Sequence, residues 1–398
     1  MKLIFTFFVI FLCSVHSVVA SAPPERWIGR GQSVLEGLNA RMCQESRNQP
    51  LLDEKSASYG AILARDAFSS ACEKDPLTAS FSPDLPEASP KITGAADGDV
   101  IARSRLMADF GIAVDLVAYA SSGLVVGGVL CYPDDGQPHS TVLHLHGGFG
   151  GIFDPDGDMV VACVNWALLH DRTAFAPSFR GQDGGEGTME LCLGEADDVA
   201  AAAIMVRNLK VTDPDRLAVV GGSTGGCVAL RAGAMIPNLK AVVSYVPPSD
   251  WKTLVDFHRT TYVPEIERTC DGGTVAWDVG GPVMADVIDN AICGHPFCSD
   301  EDYEARSTIP GVFVQTAPTL IISAEADNIV PLEQQILYSM LRQELGNPVD
   351  IYVVDPCGPS SAPPIATDVH VMVTDTYHGL SPATISDGLL FLMDALDR

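Results

Sequence analysis

Apolar positions along this 398-residue chain recur first with a helical period, then with helical and strand periods in alternation. From Pro23 to about Gly98 the spacing predicts helices over Arg26–Met42 and Lys55–Cys72, followed by a Pro, Ser and Asp-rich stretch from Pro76 to Pro90. A helical arm and a linker are expected there. Strand patterns begin afterwards with Ile112–Ala120, Leu124–Tyr132 and the apolar run Thr141–Leu145, which ends in His146-Gly147-Gly148. A helix over Met159–His170, a strand over Thr173–Pro177 and a glycine-rich loop from Arg180 to Gly187 come next. A helix over Glu195–Asn208 leads through the turn Asp213-Pro214-Asp215 into the strand Arg216–Val220 and a helix over Thr224–Met235. Strands alternating with helices predict an α/β fold with a mostly parallel sheet covered on both faces.

After the strand Lys240–Val246 the periodicity becomes irregular from Pro247 to about Gln315, which reads as a cap inserted into the domain. The sheet pattern resumes with the strand Thr319–Ser323, the helix Leu332–Leu345, the strand Val349–Val354 and a last helix over Ile385–Leu396. The expected organisation is an N-terminal leader over 1–22, the arm and linker over 23–100, and one α/β domain over 101–398 carrying the cap at about 247–315.

The leader is read from Lys2, the apolar run Leu3–Val15 and the small residues Ala20-Ser21-Ala22, the layout of a cleavable secretory signal. The run is too short for a comfortable membrane span. A secreted or extracytoplasmic protein is expected, with no stable membrane association after cleavage. Charge points away from nucleic acid as a partner, since 24 basic residues against 51 acidic ones leave a net charge of −27. Of eleven cysteines Cys13 falls in the leader, and an exported chain is expected to pair some of the rest. Local pairing of Cys43 with Cys72, and of Cys270 with Cys293 or Cys298, is expected; Cys163 and Cys227 sit in apolar helical patterns and read as buried thiols. A zinc site is not implied, because Cys293-x-His295-x-x-Cys298 lacks a fourth ligand. Asp154-x-Asp156-x-Asp158 lacks the glycine and glutamate of a calcium loop, and neither glycine-rich segment carries a P-loop lysine, so no metal, nucleotide or other cofactor is implied.

The strongest chemical signal is Leu217-Ala218-Val219-Val220-Gly221-Gly222-Ser223-Thr224-Gly225-Gly226, an apolar strand that breaks into G-x-S-x-G and opens a helix. Glycines flank the serine because a sharp strand-to-helix turn leaves no room for Cβ atoms there. A serine hydroxyl needs a base to take its proton, and in the fold that such an elbow resembles the acid and histidine follow the serine along the chain. After the resumed strand Thr319–Ser323 only His370 and His378 remain. His370 lies in the alternating pattern of Val369-His370-Val371-Met372-Val373, which suits a structural side chain in a strand; His378 lies in the loop Tyr377-His378-Gly379 and is the expected base. The segment Ser323-Ala324-Glu325-Ala326-Asp327 leaves a buried strand and offers Glu325 and Asp327, of which Asp327 is the expected orienting acid; Glu325 and Asp355 are the alternatives. Oxyanion donors are expected from the amide of Thr224 and from Gly148 or Phe149.

With these residues in place the chain resembles the catalytic domain of the prolyl oligopeptidase family, and its esterase cousins including dienelactone-hydrolase-like enzymes. The resemblance runs from about Ile112 to the C-terminus. It rests on His146-Gly147-Gly148, Pro177-Ser178-Phe179-Arg180-Gly181, Asp213-Pro214-Asp215-Arg216, the Ser223 turn, Glu325-Ala326-Asp327-Asn328-Ile329-Val330-Pro331 and His378-Gly379, in that order. It implies an α/β-hydrolase fold and acyl transfer through Ser223 onto a small peptide or an ester. The family usually has tyrosine after the nucleophile and proline after His-Gly-Gly, where this chain has Thr224 and Phe149. Large members carry a β-propeller, which the residues before Ile112 are too few to build. A peptidase would need an acidic group to grip a substrate amine, and the Asp/Glu-rich stretch 298–304 is the candidate. A serine peptidase is the favoured expectation, with a carboxylesterase and a catalytically silent binding protein as alternatives.

Overall fold

The computed structural model describes residues 25–48, 95–153, 159–262, 265–268, 274–277, 281–325, 327–346, 349–354, 369–374 and 382–398. The leader, the helix expected over Lys55–Cys72, the linker, Asp154 to Asp158, Asp355 and His378 lie outside these residues. Ten strands form one sheet in the order β1-β2-β3-β5-β4-β6-β7-β10-β12-β11. They span β1 Val100–Asp109, β2 Ile112–Ser121, β3 Leu124–Pro133, β4 His139–Leu145, β5 Thr173–Ser178, β6 Thr212–Gly222, β7 Ala241–Tyr245, β10 Thr319–Ala324, β11 Val349–Val354 and β12 Val369–Thr374. From β5 to β11 every pairing is parallel, whereas β1, β2 and β3 join as antiparallel neighbours. This is the α/β-hydrolase fold.

Period-two alternation divides the strand side chains between two cores. Leu143, Leu217, Val219, Val242 and Ile321 pack with the helices α3 (Gly194–Arg207) and α4 (Thr224–Met235). Val142, Ala218, Val220, Val243 and Ile322 pack on the opposite face with α1 (Glu25–Asn48), α2 (Met159–His170) and α9 (Pro382–Asp397). A strand segment buried on both faces must be apolar at every position, which is why the second half of β6, Leu217 to Val220, reads as a continuous hydrophobic run. The strand β1 was not expected from the sequence. It is an edge strand with largely solvent-facing positions, only Ile101 being buried, and its Arg103 and Arg105 reach Asp115 of β2, so no regular alternation of buried positions betrays it.

The expected helical arm is partly visible as α1, which lies on β1, β2 and β3. Its Val34, Leu38 and Met42 are buried, and Arg30 pairs with Glu186 of the glycine-rich loop. Between β7 and β10 the chain builds α5 (Trp251–Thr260), the hairpin β8–β9 (Glu265–Arg268 with Thr274–Trp277), α6 (Gly281–Cys293), α7 (Asp300–Glu304) and a 3-10 turn over Ile309–Phe313. The helix α8 (Glu333–Glu344) follows β10. No described helix is long and apolar enough to cross a membrane.

The cysteine expectations need correction. Cys163 and Cys227 are not thiols: Cys163 is bonded to Cys131 and Cys227 to Cys192. Helical periodicity reports burial, and a half-cystine facing the sheet is as buried as a thiol. Nor does Cys270 pair with Cys293 or Cys298, because those two are bonded to each other across a separation of 5 residues. Cys43 is disulfide-bonded as well; its expected partner, Cys72, lies outside the described residues.

Candidate active site

The strand order reverses at β4, which is flanked by β5 and β6. The chain leaves β4 through α2 on one face of the sheet and leaves β5 through α3 on the other, opening a crevice beyond the carboxyl end of β4. That end is His146-Gly147-Gly148. Next to it, register pairs Leu145 with Gly221 and Gly222 with Tyr245, so β4, β6 and β7 end side by side.

At the tip of β6 Ser223 has φ 52° and ψ −123°, a conformation non-glycine residues rarely adopt. Its amide donates to the Tyr245 carbonyl at 2.8 Å, anchoring the turn to β7. Ser223 occupies the N-cap position of α4, yet its hydroxyl does not cap the helix. Its own carbonyl accepts from the amide of Cys227 at 3.1 Å, closing the first turn. Here the strand-to-helix elbow read from G-x-S-x-G is present in backbone detail.

Gly147 fits against this turn so closely that a Cβ on it would come 2.9 Å from the Gly222 carbonyl oxygen and 3.2 Å from the Ser223 Cβ. The expected oxyanion donors are therefore carried by neighbouring backbone: Thr224 opens α4 directly after Ser223, and Gly148, at φ 66°, turns the chain away from Gly147 toward Phe149. The loop bearing them is held from a direction the sequence did not reveal. Gln182 Nε2 donates to the Phe149 carbonyl at 3.3 Å, and the Ile152 amide donates to Asp183 Oδ2 at 2.9 Å. The same Asp183 oxygen accepts from Ser178 Oγ at 2.5 Å, and α1 approaches with Arg41 at 3.9 Å. The glycine-rich loop thus braces the His-Gly-Gly loop. Gln182 and Asp183 follow Arg180-Gly181 directly, and polar side chains inside a run of glycines were the available signal.

The loop carrying the expected acid follows β10. Asp327 is buried, and its Oδ1 accepts from the amides of Ile329 and Val330, each at 2.8 Å. Glu325 is exposed. A buried carboxylate with one oxygen fixed by two backbone donors is pre-oriented, as an acid that must hold a histidine has to be; an exposed glutamate is not. Register continues the row of strand ends, since Tyr245 pairs with Ile322 and Ala324 with Thr374. Thr374 ends β12, four residues before His378 in the chain. His378 lies outside the described residues. His370 pairs with Leu320 and Asp350 near the start of β12, about 13 Å along the strand from its carboxyl end. Its backbone place is at the wrong end of the strand to serve Ser223.

Two ionisable groups, the half-buried His144 and the buried Glu195, flank this region. His144, one residue before the end of β4, accepts from the Trp166 indole at 3.2 Å and titrates at about 4 because burial disfavours its charged form. Glu195 at the start of α3 is pushed up to about 7, mainly by burial, although it accepts from the Glu190 amide at 2.6 Å. Arg180 forms its closest ion pair with Asp198, at 2.8 Å, while Asp198 also accepts from Ser121 Oγ at 2.6 Å.

The described contacts of the acidic stretch 298–304 are with groups outside the elbow. Asp300 pairs with Lys252 at 2.6 Å and Asp302 closes a capping box with Ser299. Glu301 and Glu304 line a cavity of about 590 Å³ with Arg231, Ala234 and Met235 of α4. Arg231 stands eight residues past Ser223, about 12 Å along the helix.

The chain is similar to several known proteins. The model of the acetyl xylan esterase family matches residues 196–271, a span that contains the Ser223 elbow. An uncharacterized peptidase, YtmA, of Bacillus subtilis is 23% identical over 237 residues, covering 59% of this chain and 82% of that protein. Among solved structures, an acylaminoacyl peptidase in complex with Z-Gly-Gly-Phe-chloromethyl ketone aligns with 18% identity and a TM-score of 0.49 over 71% of this chain, which spans only 40% of that protein's length. Acetyl xylan esterase 1 from Thermoanaerobacterium sp. aligns with 15% identity and a TM-score of 0.49, covering 83% of this chain and 92% of that one. The fold and the Ser223 elbow define the class: this chain is an enzyme of the α/β-hydrolase superfamily, of the serine-hydrolase type.

Proposed function

We propose that the protein is an exported carboxylesterase that works through an acyl-enzyme on Ser223, with His378 as general base and Asp327 as the acid orienting it. The observation that carries the reading is the strained Ser223 turn at the end of β6, set beside Gly147 and in one row with the strand end that leads to buried Asp327. In the proposed cycle neutral His378 takes the Ser223 proton as Oγ attacks the acyl carbon. The Thr224 amide and an amide of the Gly148–Phe149 segment receive the negative charge on the carbonyl oxygen. His378 returns the proton to the leaving alcohol, and water then releases the acid by the same steps in reverse order.

An ester is preferred over a peptide for two reasons. The acetyl xylan esterase family model covers the elbow, and the acidic stretch expected to hold a substrate amine lies at the far half of α4, against Arg231. The relation to the Bacillus subtilis peptidase keeps a prolyl-oligopeptidase-like peptidase as the second reading. Export is supported by the leader pattern and by buried disulfides that persist in oxidising compartments. The net charge of −27 argues against nucleic acid as a partner.

The test is hydrolysis of p-nitrophenyl acyl esters beside aminoacyl and dipeptidyl p-nitroanilides by mature protein and by Ser223→Ala. Ester cleavage lost in the variant supports the esterase; anilide cleavage lost in the variant moves the assignment to the peptidase. Equal activity in both proteins overturns the nucleophile, and inactivity of both, with no fluorophosphonate labelling of folded protein, favours a silent binding protein.

A further inference from the structure

The acid loop is gripped from the segment inserted between β7 and β10. The first helix of that segment, α5, begins at an Asp250 cap whose side chain accepts from the Thr253 amide at 2.9 Å, and in its last turn it buries His258. His258 Nε2 lies 2.9 Å from the carbonyl oxygen of Ile329. A carbonyl can only accept, so Nε2 carries the proton and donates. That carbonyl belongs to the peptide unit whose N–H is on Val330, and the Val330 amide donates to Asp327 Oδ1 at 2.8 Å. One planar peptide therefore receives a hydrogen bond from His258 at its oxygen and passes one to Asp327 from its nitrogen. Polarisation adds along such a chain, and a rigid peptide cannot shift one end without the other.

We infer that His258 is a positioning residue, which sets the orientation of the Asp327 carboxylate through the Ile329–Val330 peptide and so couples the 247–315 segment to the catalytic acid. The inference rests on the reading of Asp327 as the acid. The helix carrying His258 is itself held at its other positions. Gln334 of α8 accepts from the amides of Ser249 and Asp250, at 3.0 and 2.8 Å, and donates to Thr253 Oγ1 at 2.8 Å. On the following residue, Arg259 pairs with Asp289 of α6, and Asp289 also accepts from the Phe297 amide at 2.6 Å and from the Tyr303 hydroxyl. Thus α5 presents His258 to the acid and Arg259 to the rest of the inserted segment, and displacement of that segment moves both.

The experiment measures kcat and KM on a p-nitrophenyl ester for His258→Gln, His258→Asn and His258→Phe, alone and combined with Asp327→Asn, with Ser223→Ala as reference. Gln places a donor near the position of Nε2, Asn falls short and Phe has none. Expected are a fall of about tenfold to a hundredfold in kcat for Phe and Asn with KM within about twofold, and recovery to within about threefold for Gln, since misplacing a catalytic group by an ångström costs about that much. In the Asp327→Asn background the His258 substitutions should cost nothing further. Unchanged kcat in His258→Asn, or full multiplication of the His258 and Asp327 effects, overturns the inference. Wild-type activity in Ser223→Ala and Asp327→Asn overturns the site reading beneath it. If His258→Phe does not fold, the Asn and Gln pair decides.

Discussion

Removing the disulfide beneath the nucleophile should cost far more stability than removing the one in the inserted segment. Cys192–Cys227 joins the loop before α3 to the first turn of α4, with both cysteines fully buried and a separation of 35 residues. In the chain-entropy account, cross-linking a loop of that size removes about 13 cal/mol/K from the unfolded state, or about 4 kcal/mol at 25 °C. Cys293–Cys298 closes 5 residues and by the same relation contributes about 2 kcal/mol. The three described loops, including Cys131–Cys163, are disjoint in sequence, so none shortens another in the unfolded chain. With an unfolding entropy of about 2.1 cal/mol/K per residue over roughly 300 residues, a loss of about 4 kcal/mol lowers Tm by about 6 °C. The assay is thermal and urea unfolding of Cys192→Ala/Cys227→Ala and of Cys293→Ala/Cys298→Ala, each without the other change. Equal shifts, or a larger shift for the short loop, would refute the entropic reasoning. Because Cys227 lies one turn from Ser223, the first variant should also lose activity at temperatures where it is still folded.

Ser223→Gly should abolish ester hydrolysis yet raise stability by about 1 kcal/mol, since glycine adopts φ near 52° without the strain a serine bears there; a lower urea midpoint would contradict this. Gly147→Ala should cut kcat at least a hundredfold, because the added methyl meets backbone at 2.9 Å and the elbow or its neighbour must shift; an unimpaired rate in that variant removes the loop from the site. The pH dependence of stability should carry two opposed limbs. His144 titrates at about 4 in the fold against 6.5 unfolded, so the fold binds fewer protons between those values and about 3 kcal/mol of stability is lost as pH falls from 6.5 to 4. Glu195 titrates at about 7 against 4.5, so the fold binds more protons there and about 3 kcal/mol is lost as pH rises from 4.5 to 7. Urea unfolding from pH 4 to 8 should show the second limb flattened in Glu195→Gln and the first in His144→Asn, which keeps an acceptor for Trp166; limbs of wild-type slope in both variants would refute the assignments.

Much of the fold was legible because burial imposes it on the sequence. The helices Met159–His170 and Thr224–Met235 and the strand Val349–Val354 stand where periodicity places them, and the elbow was visible because only a strand-turn-helix junction brings those glycines around a serine. The strand β1 was not legible, since an edge strand with a single buried position shows no regular alternation. The sequence favoured Asp327 over Glu325, and the structure separates the two further by burial and by the Ile329 and Val330 amides that Asp327 accepts from.

What the sequence by itself determined is local: where elements begin and end, which face is apolar, and which serine sits in a turn that strains it. Only the tertiary structure decided which cysteines meet, that Gln182 and Asp183 brace the His-Gly-Gly loop, that the acidic stretch turns toward Arg231, and that His258 reaches the acid loop. All of these but the Cys293–Cys298 bond are contacts between residues far apart along the chain. Periodicity reports only whether a side chain is buried, and the partner it is buried against is set by how the layers close.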